Sequence, residues 1–484
     1  MQPPVTAIDA VVVGSGPNGL AAAITLAGSG LSVTVVEGAP EVGGGCRTEP
    51  LTLPGYRHDI CSIAHPLVLA SPFFRQAAFD GLHAELRQPE VPFAQPLGGA
   101  AAVAAYRSVD ETADSLGPDA DAYRRLMGPL VARAREITDS VLAPLRTVPA
   151  HPLSLVRFGL NGILPMQQLV RRFRGPEAKA LLAGAGAHAM APLTSPLTGA
   201  FGLLLTLIAH AEGWPVVQGG SAGITDALVA ELERLGGRVV TGQWVGSLAE
   251  LPPSTVVLMD TSPTTLASVA GDALPARYRR ALGHFRYGPG VHKVDWALSG
   301  PVPWRAEVCR RAGTLHVGGS FAEVAASEAD AAAGRHAERP FCLVVQPGVA
   351  DPTRAPAGRH TLWAYCHVPS GSTVDMTAAI ERQIERYAPG FTDLVLDRST
   401  RPAADEARAN PNYVGGDIAG GASTLRQTVF RPTVQWNPYR TPLPGVYLCS
   451  ASTPPGGGVH GMCGVYAARS ALHDHFGGPP PGAG

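Results

Sequence analysis

The stretch Ala10-Val-Val-Val-Gly-Ser-Gly-Pro-Asn-Gly-Leu-Ala-Ala-Ala-Ile-Thr-Leu-Ala27, followed by Leu31-Ser-Val-Thr-Val-Val-Glu37, decides the fold. A short apolar run reads as a buried strand, a glycine-rich turn follows, and an alanine-rich segment with helical spacing comes next. A second β-branched strand then ends in an acid. This is the order a dinucleotide-binding βαβ unit requires. Gly14 lets the chain turn off the strand, and Gly16, with Pro17 and Asn18 behind it, lets the backbone approach a pyrophosphate. Gly19 lets the helix pack close to the sheet. The helix N-terminus offers unpaired N–H groups and a partial positive charge. Glu37 lies 18 residues after Gly19, where a carboxylate accepts hydrogen bonds from ribose hydroxyls and repels a 2′-phosphate, disfavouring NADP.

Next comes Gly38-Ala-Pro-Glu-Val-Gly-Gly-Gly-Cys-Arg-Thr48. The backbone at Gly38, Gly44 and Gly45 can wrap the same nucleotide, and Arg47 can reach a phosphate through a forked, charge-assisted contact. Composition narrows the rest. At 484 residues the chain is too long for one simple core, and its formal net charge of −1 gives nucleic acid no electrostatic pull. The seven scattered cysteines form no CxxC pair or Cys/His group, so no metal site is expected and buried thiols in a reducing cytoplasm are. Met1–Thr6 lack a signal-peptide pattern, and no apolar run reaches the roughly 18 residues that span a bilayer.

Together, GSGPNG…VVE and GGGCRT resemble the FAD-binding start of the phytoene-dehydrogenase-like flavoproteins. That group includes carotenoid desaturases and proteins labelled pyridine nucleotide-disulfide oxidoreductase domain-containing, and it is related in fold to the amine oxidases. The resemblance implies non-covalent FAD, with Thr48 added to the nucleotide contacts. Gly55–Pro66 is similar to the segment that passes beneath the flavin ring and carries His58, Asp59, Ser62 and His65.

From Ser71 to Pro215 the pattern reads as helices over Asp119–Ile137, Leu153–Arg174, Ala178–Ala191 and Leu197–Ala211. The last two are almost wholly apolar, with His188 and His210 read as core. The α/β style returns at Val216–Val240, followed by expected strands Gln243–Leu248 and Thr255–Asp260. Val245 is the best match to the family's adenine-contacting valine. Strands at Val291–Leu298, Cys342–Gln346 and His360–Val368, with a helix at Thr377–Tyr387, suggest an antiparallel sheet over the flavin. By likeness to the amine oxidases, Lys293 is a candidate beside flavin N5, against the alternative of a lysine paired with Asp295. Tyr413 and Asp417 occupy a glycine-dense loop, Asn410–Gly421.

Gly445–Leu472 is again strand, glycine loop and helix, with Ser452 in the loop. Gly456, Gly458 and Gly461 satisfy GxGxxG, but no ribose-binding acid follows, so a second nucleotide site is rejected. The family reading instead aims this helix and the backbone of Val459, His460, Gly461 and Met462 at the flavin's N1/C2-carbonyl edge. The expected fold is thus α/β, a Rossmann-type FAD domain of the glutathione-reductase-2-like kind, interleaved with an α+β substrate domain. The FAD domain takes 1–75, 216–285 and 421–476, the substrate domain 76–215 and 286–420, and 477–484 form a flexible tail.

The resemblance implies hydride transfer from a lipophilic or aromatic substrate to FAD, then electrons to O₂ or a quinone. C–C desaturation leads, with C–N oxidation and a non-redox isomerase as alternatives. His65, Lys293 and His460 are the candidate catalytic residues. Rab escort and GDP-dissociation-inhibitor proteins share the fold as lipid-binding modules, and the intact motifs argue against that class. The expected location is cytoplasmic, with peripheral membrane contact open and the oligomeric state undetermined.

Overall fold

The computed structural model describes residues 8–145 and 149–479; Met1–Thr6 and the end of the expected tail, 480–484, lie outside the described residues. The apolar run at the start forms the strand Ile8–Val13 at the centre of a five-stranded parallel sheet. The order across this sheet is Val446–Leu448, Ser254–Met259, Ile8–Val13, Val33–Val36, Arg238–Val240. A central parallel strand is covered on both faces, which is why its residues are continuously apolar. The switch in strand order falls at Ile8–Val13, so the crevice for a ligand opens where Gly14 begins its turn.

The helix Pro17–Ala27 packs against both Ala222–Arg234 and the last helix, Met462–His475. These are very close approaches. A Cβ on Gly19 would stand 2.2 Å from the Gly14 carbonyl oxygen, and one on Gly464 would stand 1.8 Å from the Asn18 carbonyl oxygen.

A seven-stranded sheet forms the second layer system, in the order Val395–Arg401, Gly290–Leu298, His360–Val368, Cys342–Val345, Ala312–Val317, Val91–Gly98, Ala101–Ala105. Its pairs are antiparallel except Ala312–Val317 with Val91–Gly98. Helices including Pro176–Ala187 and Thr198–Ala211 pack on it around Leu181, Leu182, Leu203 and Leu207.

Several expectations are corrected. The hairpin of Val91–Gly98 and Ala101–Ala105 lies where helices alone were expected, because Pro92 and Pro96 disguise a strand that nevertheless carries Phe93 and Ala94 into the core. Gln243–Leu248 is not a strand: it runs as irregular chain beside the end of the second strand, with the Gln243 N–H on the Glu37 carbonyl and the Gly242 N–H on that of Ala39. The long helices are also shorter than their apolar patterns, dividing into Ala120–Val131 and Ala134–Val141, and into Pro152–Gly162 and Met166–Leu169 across Pro165.

Gly464→Val should destabilise the fold by about 3 kcal/mol or more, since the helix pair must separate to admit the side chain. Chemical denaturation of the full chain reads this directly, and an unchanged midpoint would contradict the packing described.

Candidate active site

At the carboxyl end of the central strand, Gly14 has a φ of 101°, a left-handed conformation that glycine adopts at little cost. Gly16 and Gly44 face one another closely, a Cβ on Gly44 falling 3.2 Å from the Gly16 Cα. Behind this turn sits Asp260, at the end of the strand Ser254–Met259. Its Oδ2 accepts the Gly19 N–H at 2.8 Å. Burial pushes the Asp260 carboxyl up to about 7; the Gly19 N–H opposes this, and the Glu37 charge adds to the rise. Glu37 accepts from the Ser15 N–H at 2.8 Å, the Ser15 hydroxyl at 2.6 Å and the Ala39 N–H at 2.8 Å. Among the described residues, Asn18 Oδ1 and Arg47 Nε are buried without a hydrogen-bond partner. Orphaned polar atoms beside a backbone cradle that side chains would fill suit a bound dinucleotide diphosphate.

A cavity of about 490 Å³ runs from this cradle into the second layer system, its wall including Gly16, Pro17, Asn18, Gly44, Gly45 and Asp260 at one end. Ser62, Tyr413, Ser452, Gly458, Val459 and His460 continue it. Tyr413 closes over Gly45, where a Cβ would meet its hydroxyl at 2.2 Å.

Three of the sequence assignments here change. His460 spends both ring nitrogens on backbone: Nε2 donates to the Gly456 carbonyl at 3.1 Å and Nδ1 accepts the Met462 N–H at 3.0 Å. Burial lowers its pKa to about 4, so it is a neutral brace for the glycine loop and has no nitrogen left for a substrate. The same bond takes the Met462 N–H away from the flavin-edge role expected of it, and Gly461 packs on Ala21 and Phe73. Asp417 is likewise a brace, accepting the Gly288 N–H at 2.7 Å and the Ala419 N–H at 2.8 Å.

Lys293 takes the alternative named for it. It is buried, ion-paired to Asp295 and 5.8 Å from the Trp363 ring centroid, and it is not part of the cavity wall. Lys293 and Asp295 lie directly opposite Tyr365 and Trp363 in the register of Gly290–Leu298 with His360–Val368, so the amine sits on the same face of the sheet, beside Trp363. The Thr48 hydroxyl is spent on Asp59 Oδ1 at 2.7 Å, and Asp59 in turn pairs with Arg354 at 2.8 Å. His58 bonds Thr52. Glu37, Gly38, Arg47 and Val245 also stand outside the wall, with Val245 packed in the core beside Val36.

His65 does line the cavity. Its Nε2 lies 2.9 Å from Ser221 Oγ, which itself donates to the Ser62 carbonyl at 2.6 Å, so His65 donates through Nε2. Nδ1 is then a lone pair with no partner, and burial lowers the pKa to about 4.

The far end of the cavity is apolar, walled by Phe158, Phe201, Leu204, Trp214 and Trp363, with His188 among them rather than in the core. His188 Nε2 meets His316 Nε2 at 3.0 Å, and burial holds both rings neutral, His188 at about 3. His210 matches its expectation, bonded to the Tyr123 hydroxyl at 2.7 Å in the helical core.

Sequence reasoning missed Asp260, Arg431 and the His188–His316 pair. Arg431 lines the cavity while nearly buried, with Nε on the Gln427 carbonyl at 3.2 Å and Nη1 on that of Ala451 at 3.2 Å. Among the described residues no carboxylate lies within 4 Å of it. No motif announces it; a lone arginine in Phe430-Arg-Pro432 gives no spacing signal.

Residues 12–74 match the family model described as NAD(P)-binding Rossmann-like domain. The chain is 26% identical to pyridine nucleotide-disulfide oxidoreductase domain-containing protein 2 of Mus musculus, across 96% of this chain and 93% of that protein. It is 29% identical to a 4,4′-diapolycopen-4-al dehydrogenase of Metabacillus indicus over 25% of each chain. An oxidoreductase from Methanosarcina mazei superposes with a TM-score of 0.63 at 16% identity, covering 96% of this chain and 100% of that one. Putrescine oxidase with putrescine bound gives 0.59 at 20% identity, covering 96% and 98%.

A folded-state pKa of about 7 for Asp260, against an ordinary 3.8, means the folded chain holds the extra proton between those values. The stability this contributes to the ligand-free protein is full below about pH 4 and lost as pH rises through 7, so its thermal midpoint should fall over that window. Above pH 7 the ionised carboxylate would also repel a diphosphate. Asp260→Asn should flatten both dependences, read by thermal denaturation and FAD titration. His460→Ala should weaken FAD binding roughly tenfold by loosening the loop, an effect of about 1.4 kcal/mol in the same titration.

Proposed function

We propose, from the chain's place among the Rossmann-like oxidoreductases of the amine-oxidase fold, that it is an FAD-dependent dehydrogenase. In this reading it removes hydride from a carbon of a lipophilic or aromatic small molecule and passes electrons to O₂ or a quinone. One observation carries this: a single cavity joins a diphosphate cradle to an apolar chamber. FAD, when bound, supplies the hydride acceptor.

The chain's own residues do the rest. Gly16, Gly44 and Gly45 bring backbone to the diphosphate, while Glu37 offers its carboxylate to ribose after exchanging the Ser15 contacts. Arg431 holds a positive charge in the wall, where it favours negative charge on a bound ligand. The chamber walls of Trp214, Phe201 and Leu204 exclude water and orient an apolar chain or ring. His65, neutral and with Nδ1 free, can accept a proton if the carbon chemistry releases one.

Desaturation is favoured over amine oxidation by the wall's charges. Among the described lining residues the only carboxylate is Asp260, at the phosphate end, so that described wall offers no anion to an ammonium group in the chamber. The aromatic pair Trp363 and Tyr365, 5.2 Å apart, keeps the amine reading as the alternative through cation–π contact. The proposed location is the cytoplasm, with the substrate met at a membrane surface. Among the described residues, no helix is long and apolar enough to cross a membrane.

The test is an anaerobic titration of the FAD-loaded protein against polyenes, steroids, acyl chains and alkylamines. Polyene or other lipophilic C–H donors should bleach the flavin at least tenfold faster than amines. Faster bleaching by amines would establish the C–N alternative, and turnover without net bleaching an isomerase. Failure to bind FAD at all would sink the enzyme reading in favour of a lipid-binding module.

A further inference from the structure

The helix Pro152–Gly162 carries its apolar residues on the wrong side for a core helix. Leu153, Val156 and Leu160 are 85%, 58% and 70% exposed, and Ile163, directly after the helix, is 53% exposed. Their spacing of three, four and three residues places all four on one stripe. The opposite side of the helix buries Ser154, Phe158 and Gly162. A polar outer face would be expected of a helix that only meets water, and this one is apolar along its length.

Charge around the stripe has one sign. From Ser140 to Pro176 the chain holds five arginines and no Asp or Glu. Arg157, Arg171, Arg172 and Arg174 are exposed, and among the described residues none has a carboxylate within 4 Å. Of the acids near this window, Asp139 pairs with Arg75, Glu136 is engaged by Arg133 and Ser154, and Asp119 by the backbone N–H groups of Arg174 and Gly175; Glu177, directly after the window, makes no ion pair with these arginines among the described residues.

The stripe also adjoins the cavity. Phe158, on its underside, lines the chamber, as does Leu145, which is 46% exposed and so marks the side on which the chamber meets the surface. Phe201 and Leu204 of the neighbouring helix complete this outer wall.

We infer that the Pro152–Ile163 face docks on an anionic phospholipid bilayer, with Leu153, Val156, Leu160 and Ile163 inserted among the acyl chains and the arginines on headgroup phosphates. Such a seat sets the apolar chamber's outer wall against the lipid, so a lipophilic substrate need not cross water. Its purpose rests on the lipophilic-substrate reading above, but its failure is distinguishable. A dehydrogenase without this seat would still bleach with substrate in detergent while ignoring vesicles.

The experiment is flotation of the full-length FAD-loaded protein with vesicles of phosphatidylcholine, with and without 30% phosphatidylglycerol. Wild type should float with the anionic vesicles and be released by high salt. Leu153→Ser/Leu160→Ser should cut partitioning at least tenfold, and Arg171→Gln/Arg172→Gln about tenfold on anionic vesicles only. Flavin content and thermal midpoint, unchanged in each variant, show the fold intact. Independently, Leu160→Trp fluorescence should be quenched by brominated phospholipid. Absence of wild-type flotation, or an unquenched tryptophan, overturns the inference. So does sedimentation showing that Leu153→Ser/Leu160→Ser converts a dimer to monomer, since a second copy would then be the occupant.

Discussion

Backbone crowding at one helix governs this molecule. Pro17–Ala27 touches the turn before it and the last helix of the chain at distances that only glycines at 19 and 464 permit. The energetic consequence is a join between segments more than 440 residues apart, made by main chain rather than by long side chains. A cradle built from backbone has little rotamer freedom to lose when a ligand arrives, so its N–H groups are aimed before binding. The glycine loop braced by His460 lies immediately ahead of that same last helix, so the two ends of the cavity are fixed by one contact.

The polar groups around the cavity follow from the dryness of this arrangement. His65, His188, His316 and His460 are all held neutral by burial, and Asp260 is held towards protonation for the same reason. In a wet cleft these side chains would titrate near their ordinary values and compete for the substrate with water. Arg431 is the exception, a guanidinium that cannot shed its charge and is solvated here by carbonyls. A site with neutral imidazoles, a silenced carboxyl and one fixed cation favours species that gain negative charge.

The dinucleotide unit was legible because its signals are local: strand, glycine turn, helix and acid occupy 28 consecutive residues, Ala10 to Glu37. The α/β class and the strands expected at Val291–Leu298 and His360–Val368 were legible from local pattern too, although both faces of these strands are buried where a half-buried alternation was expected. What failed was anything set by partners distant in sequence. Lys293 was open between a flavin-side amine and a partner of Asp295, and the ion pair beside Trp363 takes the second. His460 looked free beside the ring until the turn folded both nitrogens onto its own backbone. His188 looked like core because its helix is apolar all round, and only the approach of His316 from another sheet strand shows it at the chamber. The hairpin at Val91–Ala105 was hidden by two prolines, the second of which lies where the pairing with Ala101–Ala105 shifts register between Pro96 and Gly98.

The position of the chamber between two kinds of surface supplies the remaining constraint. Its inner wall is the rigid seven-stranded sheet, whose Leu343, Val345, Trp363 and Tyr365 pack on Ile63 and Met190. Its outer wall is a pair of helices, one of which turns large aliphatic side chains to the outside. A sheet resists bending across its hydrogen-bonded strands, whereas adjacent helices slide on side-chain contacts at much lower cost. On the proposed function, entry of a lipophilic substrate falls to the helical side. On the proposed function, chemistry belongs to the stiff end of the cavity, where the cradle of the parallel sheet and the glycine loop fix the geometry. The division would let the proposed reaction combine a stiff face with a compliant, apolar doorway.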